Sequence, residues 1–206
     1  MRELFVDSVC KTFGDLEILK DIFISCMPGE IVALLGRNGS GKSTLLKIIF
    51  GSLSADQKYI RINGNVSNGW HTGTRLIAYL PQINFLPSHL PIQKIIELFC
   101  LDRSVDLLKK HEHVNPFLNR KSGSLSGGER RMIEILLILQ TPANYILIDE
   151  PFNGVEPMHK NHIKSLIQSH AQDKGFIITD HDYENILDIA TKTILLHEGS
   201  TKKITS

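Results

Sequence analysis

The 206-residue chain sets 23 Lys and Arg against 22 Asp and Glu, a net charge of +1. Such a balance carries no electrostatic footprint for a polyanion such as DNA, and no apolar run approaches the ~18 residues of a membrane span. Cys10, Cys26 and Cys100 are odd in number, far apart and without a C-x-x-C pair, which reads as reduced thiols in a cytoplasmic protein.

The N-terminus, Met1-Arg-Glu-Leu-Phe, carries charge too early for a signal peptide. The first thirty residues read as β-structure. Glu3–Val9 alternates through Leu4, Val6 and Ser8. Gly14-Asp15 is a turn signal, and Ile18–Cys26 is a second strand that Pro28-Gly29 stops. Glu30–Leu35 is a short apolar run suited to a buried parallel strand. It runs into Gly36-Arg37-Asn38-Gly39-Ser40-Gly41-Lys42-Ser43-Thr44, a complete G-x-x-x-x-G-K-[ST] phosphate-binding loop. The glycines let backbone N–H groups turn inward around a phosphate chain. Lys42 adds positive charge near the outer phosphates, and the Ser43 hydroxyl suits Mg²⁺. Thr44–Phe50 reads as a helix ending at Gly51, so its positive end faces the same phosphates.

Further strands are expected at Tyr59–Ile62 and Leu76–Leu80. From Ile83 to Ser124 the texture changes. Pro87 and Pro91 punctuate it, and Ile92–Leu101 has helical periodicity through Ile92, Ile95, Ile96 and Phe99. Val105–Lys110 is a second short helical piece, and His111–Gly123 is polar and loop-like. This stretch reads as a small helical lobe inserted into an α/β core. The core then resumes. Glu129–Leu139 is an apolar-rich helix with Arg130, Arg131 and Glu134 on its wetter side. Tyr145–Ile148 is a buried strand, Pro157–His170 an amphipathic helix, Gly175–Thr179 a strand, Tyr183–Ala190 a helix and Thr193–Leu196 a last strand. The alternation implies a mostly parallel sheet covered on both faces.

Two more clusters carry chemistry. Tyr145-Ile-Leu-Ile-Asp149-Glu150 puts two carboxylates at the C-terminal end of an apolar strand, where ligand sites of open α/β sheets lie. Asp149 is placed to hold Mg²⁺ and Glu150 to polarise a water that attacks the outer phosphate. On their own, two acids after a strand are also an ordinary solvated strand end. Leu125-Ser126-Gly127-Gly128-Glu129 opens the Glu129–Leu139 helix, so Ser126 and the two glycines make a second anion-type helix start. One phosphate-binding domain needs only one such start.

With these motifs in this order, the chain resembles the nucleotide-binding subunit of ATP-binding cassette (ABC) transporters over nearly all of its 206 residues. The resemblance implies a P-loop NTPase core with a mostly parallel sheet, an N-terminal antiparallel β subdomain and a short inserted helical subdomain. It implies one domain over 1–206, with 1–82 and 125–206 as the core and 83–124 as the helical lobe. Phe13 matches the family's adenine-stacking aromatic, Gln82 the glutamine that touches Mg²⁺ and the attacking water, and His181 the histidine at the γ-phosphate. Alone, each has an ordinary structural reading.

The implied activity is Mg²⁺-dependent ATP hydrolysis coupled to transport. The implied partners are a second ATPase subunit, identical or not, and an integral membrane transporter subunit. In the implied sandwich dimer Ser126, Gly127 and Gly128 serve the other subunit's ATP. The protein is then cytoplasmic, held on the inner face of the cell membrane through its membrane partner, and no direct nucleic-acid contact is expected. Phe85, Leu86, Leu90 and Ile92 are either a groove for that partner or the lobe's own core. A non-transport ABC ATPase acting on nucleic acid or ribosomes is the alternative, and a catalytically silent binding module a third reading. The chain departs from the family at Glu156, where Asp is usual, in the short Gln82 to Leu125 interval, and in Ile135–Gln140, which lacks the usual Ala-Arg-Ala pattern.

Overall fold

The computed structural model describes residues 2–67, 76–100 and 103–204. An antiparallel sheet opens the chain. Strand β1 (Leu4–Phe13) lies between β2 (Leu16–Cys26) and β4 (Gln57–Ile62), and β5 (Asn65–Val66) flanks β4. Leu4 and Val6 point inward, but the alternation does not run on to Ser8. Ser8 sits at φ 53 in a register shift between Val6 and Val9, so Val9 is the next buried residue. A bulge of this kind resets the phase of a strand.

The second sheet has the order β10-β9-β3-β8-β7-β6. Its strands are β3 (Ile31–Leu35), β6 (Ile77–Leu80), β7 (Tyr145–Asp149), β8 (Gly175–Thr179), β9 (Lys192–His197) and β10 (Ser200–Ile204). All neighbours are parallel except the β9–β10 pair. Strands β3, β7 and β8 are buried from end to end, which is why they read as unbroken apolar runs. Val32, Leu34, Leu147 and Ile177 face α1 (Lys42–Phe50) and the antiparallel sheet. Ile31, Ala33, Ile146 and Ile178 face the helices of the opposite layer. Strand β10 escapes the periodicity argument because its Lys202 and Lys203 are exposed at a sheet edge, where charge blunts pairing with another chain.

In the stretch 83–124, α2 (Ile92–Phe99) and α3 (Arg103–Lys110) are followed by 3₁₀ turns at Asn115–Phe117 and Ser122–Ser124. Leu101, the last residue of the expected first helix, lies outside the described residues. A bridge between Pro91 and Lys121, and a bond from the Ile92 N–H to the Arg120 carbonyl at 3.0 Å, close this stretch on itself. Leu86 and Ile92 are buried in the core, while Phe85 and Leu90 are half-buried against it. Of the four groove candidates, two are therefore core residues, and Phe85 instead meets Phe99 with ring centroids 5.5 Å apart.

Helix α4 (Gly127–Leu139) begins two residues before the expected start, α5 (Pro157–His170) matches its expected span, and α6 (Tyr183–Leu187) stops short of Ala190. The wetter face expected for α4 is wrong at two positions of three. Arg131 is 4% and Glu134 0% exposed. They neutralise one another at 3.3 Å inside the core, the arrangement that makes burial of two charges tolerable. Among the described residues, no helix is long and apolar enough to cross a membrane.

Candidate functional site

Four parallel strands deliver the site residues to one edge. The phosphate loop follows β3, Gln82 lies two residues beyond β6, Asp149 ends β7 with Glu150 just after it, and His181 lies two residues beyond β8. A cavity of about 610 Å³ opens there. Phe13, Asn38, Gly39, Gly41, Lys42, Ser43, Thr44, Gln82, Glu150 and His181 line it, together with Ile18 and Asn153, which the sequence did not single out. Gly36, Arg37 and Ser40 complete the loop around the Lys42 side chain and behind it. Asp149 sits beneath, bonded to Ser43. Ser126, Gly127 and Gly128 are not on this cavity.

The loop glycines are sterically required at two points. A Cβ at Gly36 would lie 2.6 Å from the Leu196 carbonyl oxygen. One at Gly41, where φ is 101, would lie 2.7 Å from Ile18 Cγ2. Gly41 also starts α1 without any side-chain cap, so the free N–H groups of the first turn stay uncovered. Lys42 is buried and donates from Nζ to the carbonyls of Gly36 at 2.7 Å and Arg37 at 3.1 Å. Burial pulls its pKa down, and the Glu150, Asp149 and Asp180 carboxylates oppose that pull. Ser40 Oγ is buried with no hydrogen-bond partner, behind the loop and off the cavity. Phe13 is half exposed with the Lys11 ammonium 5.2 Å from its ring centre, so it is not a core aromatic.

Asp149 is 2% exposed. Its Oδ1 accepts from Thr179 Oγ1 at 2.7 Å and Ser43 Oγ at 3.0 Å, and its Oδ2 accepts from the Tyr79 hydroxyl at 3.1 Å. Burial and this carboxylate together push the Tyr79 phenol pKa up, so it stays a donor. A hydroxyl and a carboxylate this close are the hard oxygen donors that Mg²⁺ takes, so the residues fit such an ion.

Glu150 adopts φ 50, a left-handed conformation that costs a non-glycine residue about 1–3 kcal/mol. Its N–H donates to the Thr179 carbonyl at 2.7 Å. Its Oε2 accepts from Gln82 Nε2 at 2.7 Å and Asn153 Nδ2 at 3.1 Å, with His181 Nδ1 at 3.5 Å. The strained turn aims the carboxylate into the cavity, and three side chains converge on one oxygen. Behind it, the buried Asp180 carboxylate accepts from the N–H groups of Phe152 and Asp182, fixing the loops that carry Glu150 and His181. Tyr183 Oη donates to the Gly36 carbonyl at 2.9 Å and ties α6 to the phosphate loop. Asn153, Tyr79 and Tyr183 were not predicted, because none belongs to a spaced motif. Only the proximity of Asn153 to Glu150 in sequence hinted at its role.

Helix α4 starts differently. Ser126 Oγ accepts from the Glu129 N–H at 3.2 Å, and Glu129 Oε2 accepts from the Ser126 N–H at 2.7 Å, a reciprocal capping box. This start packs beside the loop that follows Glu150 and the first turn of α5. A Cβ on Gly127 would lie 3.9 Å from the Gly154 carbonyl oxygen, and one on Gly128 3.3 Å from His159.

Comparison with known proteins identifies the family. The family model described as ABC transporter matches residues 19–153. The lipopolysaccharide export system ATP-binding protein LptB of Acidithiobacillus ferridurans is 30% identical over 97% of this chain and 88% of its own length. The sulfate/thiosulfate import ATP-binding protein CysA of Synechocystis sp. is 29% identical over 98% of this chain and 60% of its own length. A solved structure of the ATP-binding subunit of an ABC transporter superposes with a TM-score of 0.87. It is 24% identical, covering 98% of this chain and 89% of that one.

Proposed function

The chain belongs to the ABC transporter family, whose ATP-binding subunits hydrolyse ATP, and on that premise we propose how its own residues carry out the reaction. The exposed ring of Phe13 stacks on the base. The uncovered N–H groups at the start of α1 and the Lys42 ammonium hold the phosphate chain, Lys42 exchanging loop carbonyls for phosphate oxygens. Ser43, Asp149 and Gln82 would hold Mg²⁺, which would supply positive charge against the phosphate oxygens. Glu150 takes a proton from the attacking water as its oxygen bonds to the outer phosphorus and ADP departs. Gln82 and Asn153 fix the carboxylate for that step, and His181 is placed for the outer phosphate.

The capped start of α4 lies off the cavity, which supports its use on a second copy's nucleotide. Two chains then close a sandwich with Ser126, Gly127 and Gly128 facing the opposite phosphate loop. The stretch 83–124 forms the lobe that meets an integral membrane subunit at the cytoplasmic face, with residues 1–82 and 125–206 as the core. Ile83, 80% exposed, and the Phe85–Phe99 pair form its apolar contact beside Gln82.

One observation carries this reading: Gln82, Asn153 and His181 converge on a single Glu150 oxygen at the mouth of the cavity. Its test is Glu150→Gln. The amide cannot accept the proton, so ATP hydrolysis falls by about 10²–10⁴-fold while Mg·ATP binding persists. Wild-type turnover in this variant contradicts the assignment.

A further inference from the structure

The buried Arg131–Glu134 pair does more than neutralise itself. Arg131 Nη1 donates to the Pro81 carbonyl at 2.7 Å, and Pro81 immediately precedes Gln82. Its Nη2 donates to the carbonyls of Asp149 at 2.6 Å and Glu150 at 3.2 Å. One guanidinium therefore holds the ends of β6 and β7 together, at Glu150 and at the residue just before Gln82, and the Glu150 and Gln82 side chains meet at 2.7 Å. Glu134 accepts the Phe85 N–H at 2.9 Å through its other oxygen, so the pair also grips the chain three residues beyond Gln82. All of these bonds originate on α4, from Arg131 five residues and Glu134 eight residues after Ser126. Burying two charges here is not required for stability, since an apolar pair of similar volume is often as stable. What an apolar pair lacks is a rigid fork of donors aimed at three carbonyls. One of those carbonyls belongs to Glu150, whose left-handed backbone needs outside support to persist.

We propose that Arg131 and Glu134 are positioning residues for hydrolysis, fixing Gln82 and Glu150 from the helix that Ser126 starts. Any displacement of α4 by a ligand at Ser126 is thereby transmitted to the chain's own hydrolytic carboxylate. The inference rests on the reading of Glu150 as the base that activates water.

The experiment is steady-state ATP hydrolysis by the full chain carrying Arg131→Met together with Glu134→Leu. Arg131→Lys and Glu150→Gln are measured alongside. The double variant removes both charges and so leaves none unpaired. Its kcat falls about tenfold to a hundredfold, the cost of a misplacement near 1 Å, while the KM for ATP stays near wild type and the chain stays folded at a lower melting temperature, because three carbonyls and the Phe85 N–H lose partners. Arg131→Lys keeps the pairing charge but cannot span three carbonyls, and its kcat lies between the two. If the double variant does not fold, Arg131→Lys decides alone: a lower kcat at unchanged KM supports the proposal. An unchanged kcat in a folded variant overturns it, as does a rise in KM that accounts for the whole loss. Wild-type hydrolysis by Glu150→Gln would instead remove the reading of Glu150 itself, whatever the other variants do.

Discussion

Two helices of this chain begin at glycine-rich motifs, and they begin in opposite ways. Helix α1 starts at Gly41, left-handed at φ 101 and without a side-chain cap, directly on the cavity. Helix α4 starts at Ser126, where a capping box occupies the Ser126 and Glu129 N–H groups, and it lies off that cavity. An uncapped start with its lysine leaves first-turn N–H groups free for a ligand. A capped start is complete without one. On the proposed function, the first holds this chain's own nucleotide and the second meets a nucleotide that a second chain brings.

The comparison breaks most visibly at the loop. Gly36→Ala puts a Cβ 2.6 Å from a backbone oxygen of β9, which has no flexible side chain to move aside. The loop must shift, and ATP affinity measured by titration calorimetry falls more than about tenfold, as expected when several phosphate contacts move together. At α4 the two roles of Ser126 separate. Ser126→Ala removes the cap and costs ~1 kcal/mol, lowering the melting temperature by about 2–4 °C. Ser126→Asp preserves the cap, so stability remains, but its charge repels a phosphate, and dimer-dependent hydrolysis is lost. If Ser126→Asp melts lower and hydrolyses normally, the division of roles is reversed.

A third helix start sharpens the contrast by a smaller amount. Glu156 is the N-cap residue of α5, with no side-chain hydrogen bond to the first turn. Its longer side chain is a poor cap where the family's usual Asp is a good one, so Glu156→Asp stabilises the fold by ~0.5–1 kcal/mol, read as a small rise in melting temperature. This departure from the family therefore has its first consequence in a helix cap. An unchanged melting temperature would contradict that account.

The order of strands and helices around the cavity was legible because each site residue follows an apolar run of the right length. Lys42, Asp149, Glu150 and His181 could all be placed from the strand just before them. Arg131 and Glu134 were misread for a physical reason. Charges three residues apart on a helix normally mark its solvated side, and the groups that bury this pair are backbone carbonyls and an N–H from loops distant in sequence. Nothing local to α4 announces them. Strand β10 was missed because a charged edge strand lacks apolar alternation, and Ser8 because a bulge shifts the phase of β1. Periodicity reads what faces a core, and it is blind to polar groups that the fold itself supplies.

The claim that α4 serves a second chain's nucleotide is tested most directly in the Glu150→Gln background, where bound ATP persists. Light scattering with Mg·ATP will give a dimer for Glu150→Gln and a monomer for Glu150→Gln with Ser126→Asp, while both bind ATP with equal affinity. Equal dimerisation of the two, or a loss of ATP affinity in the monomer on changing Ser126, would contradict it.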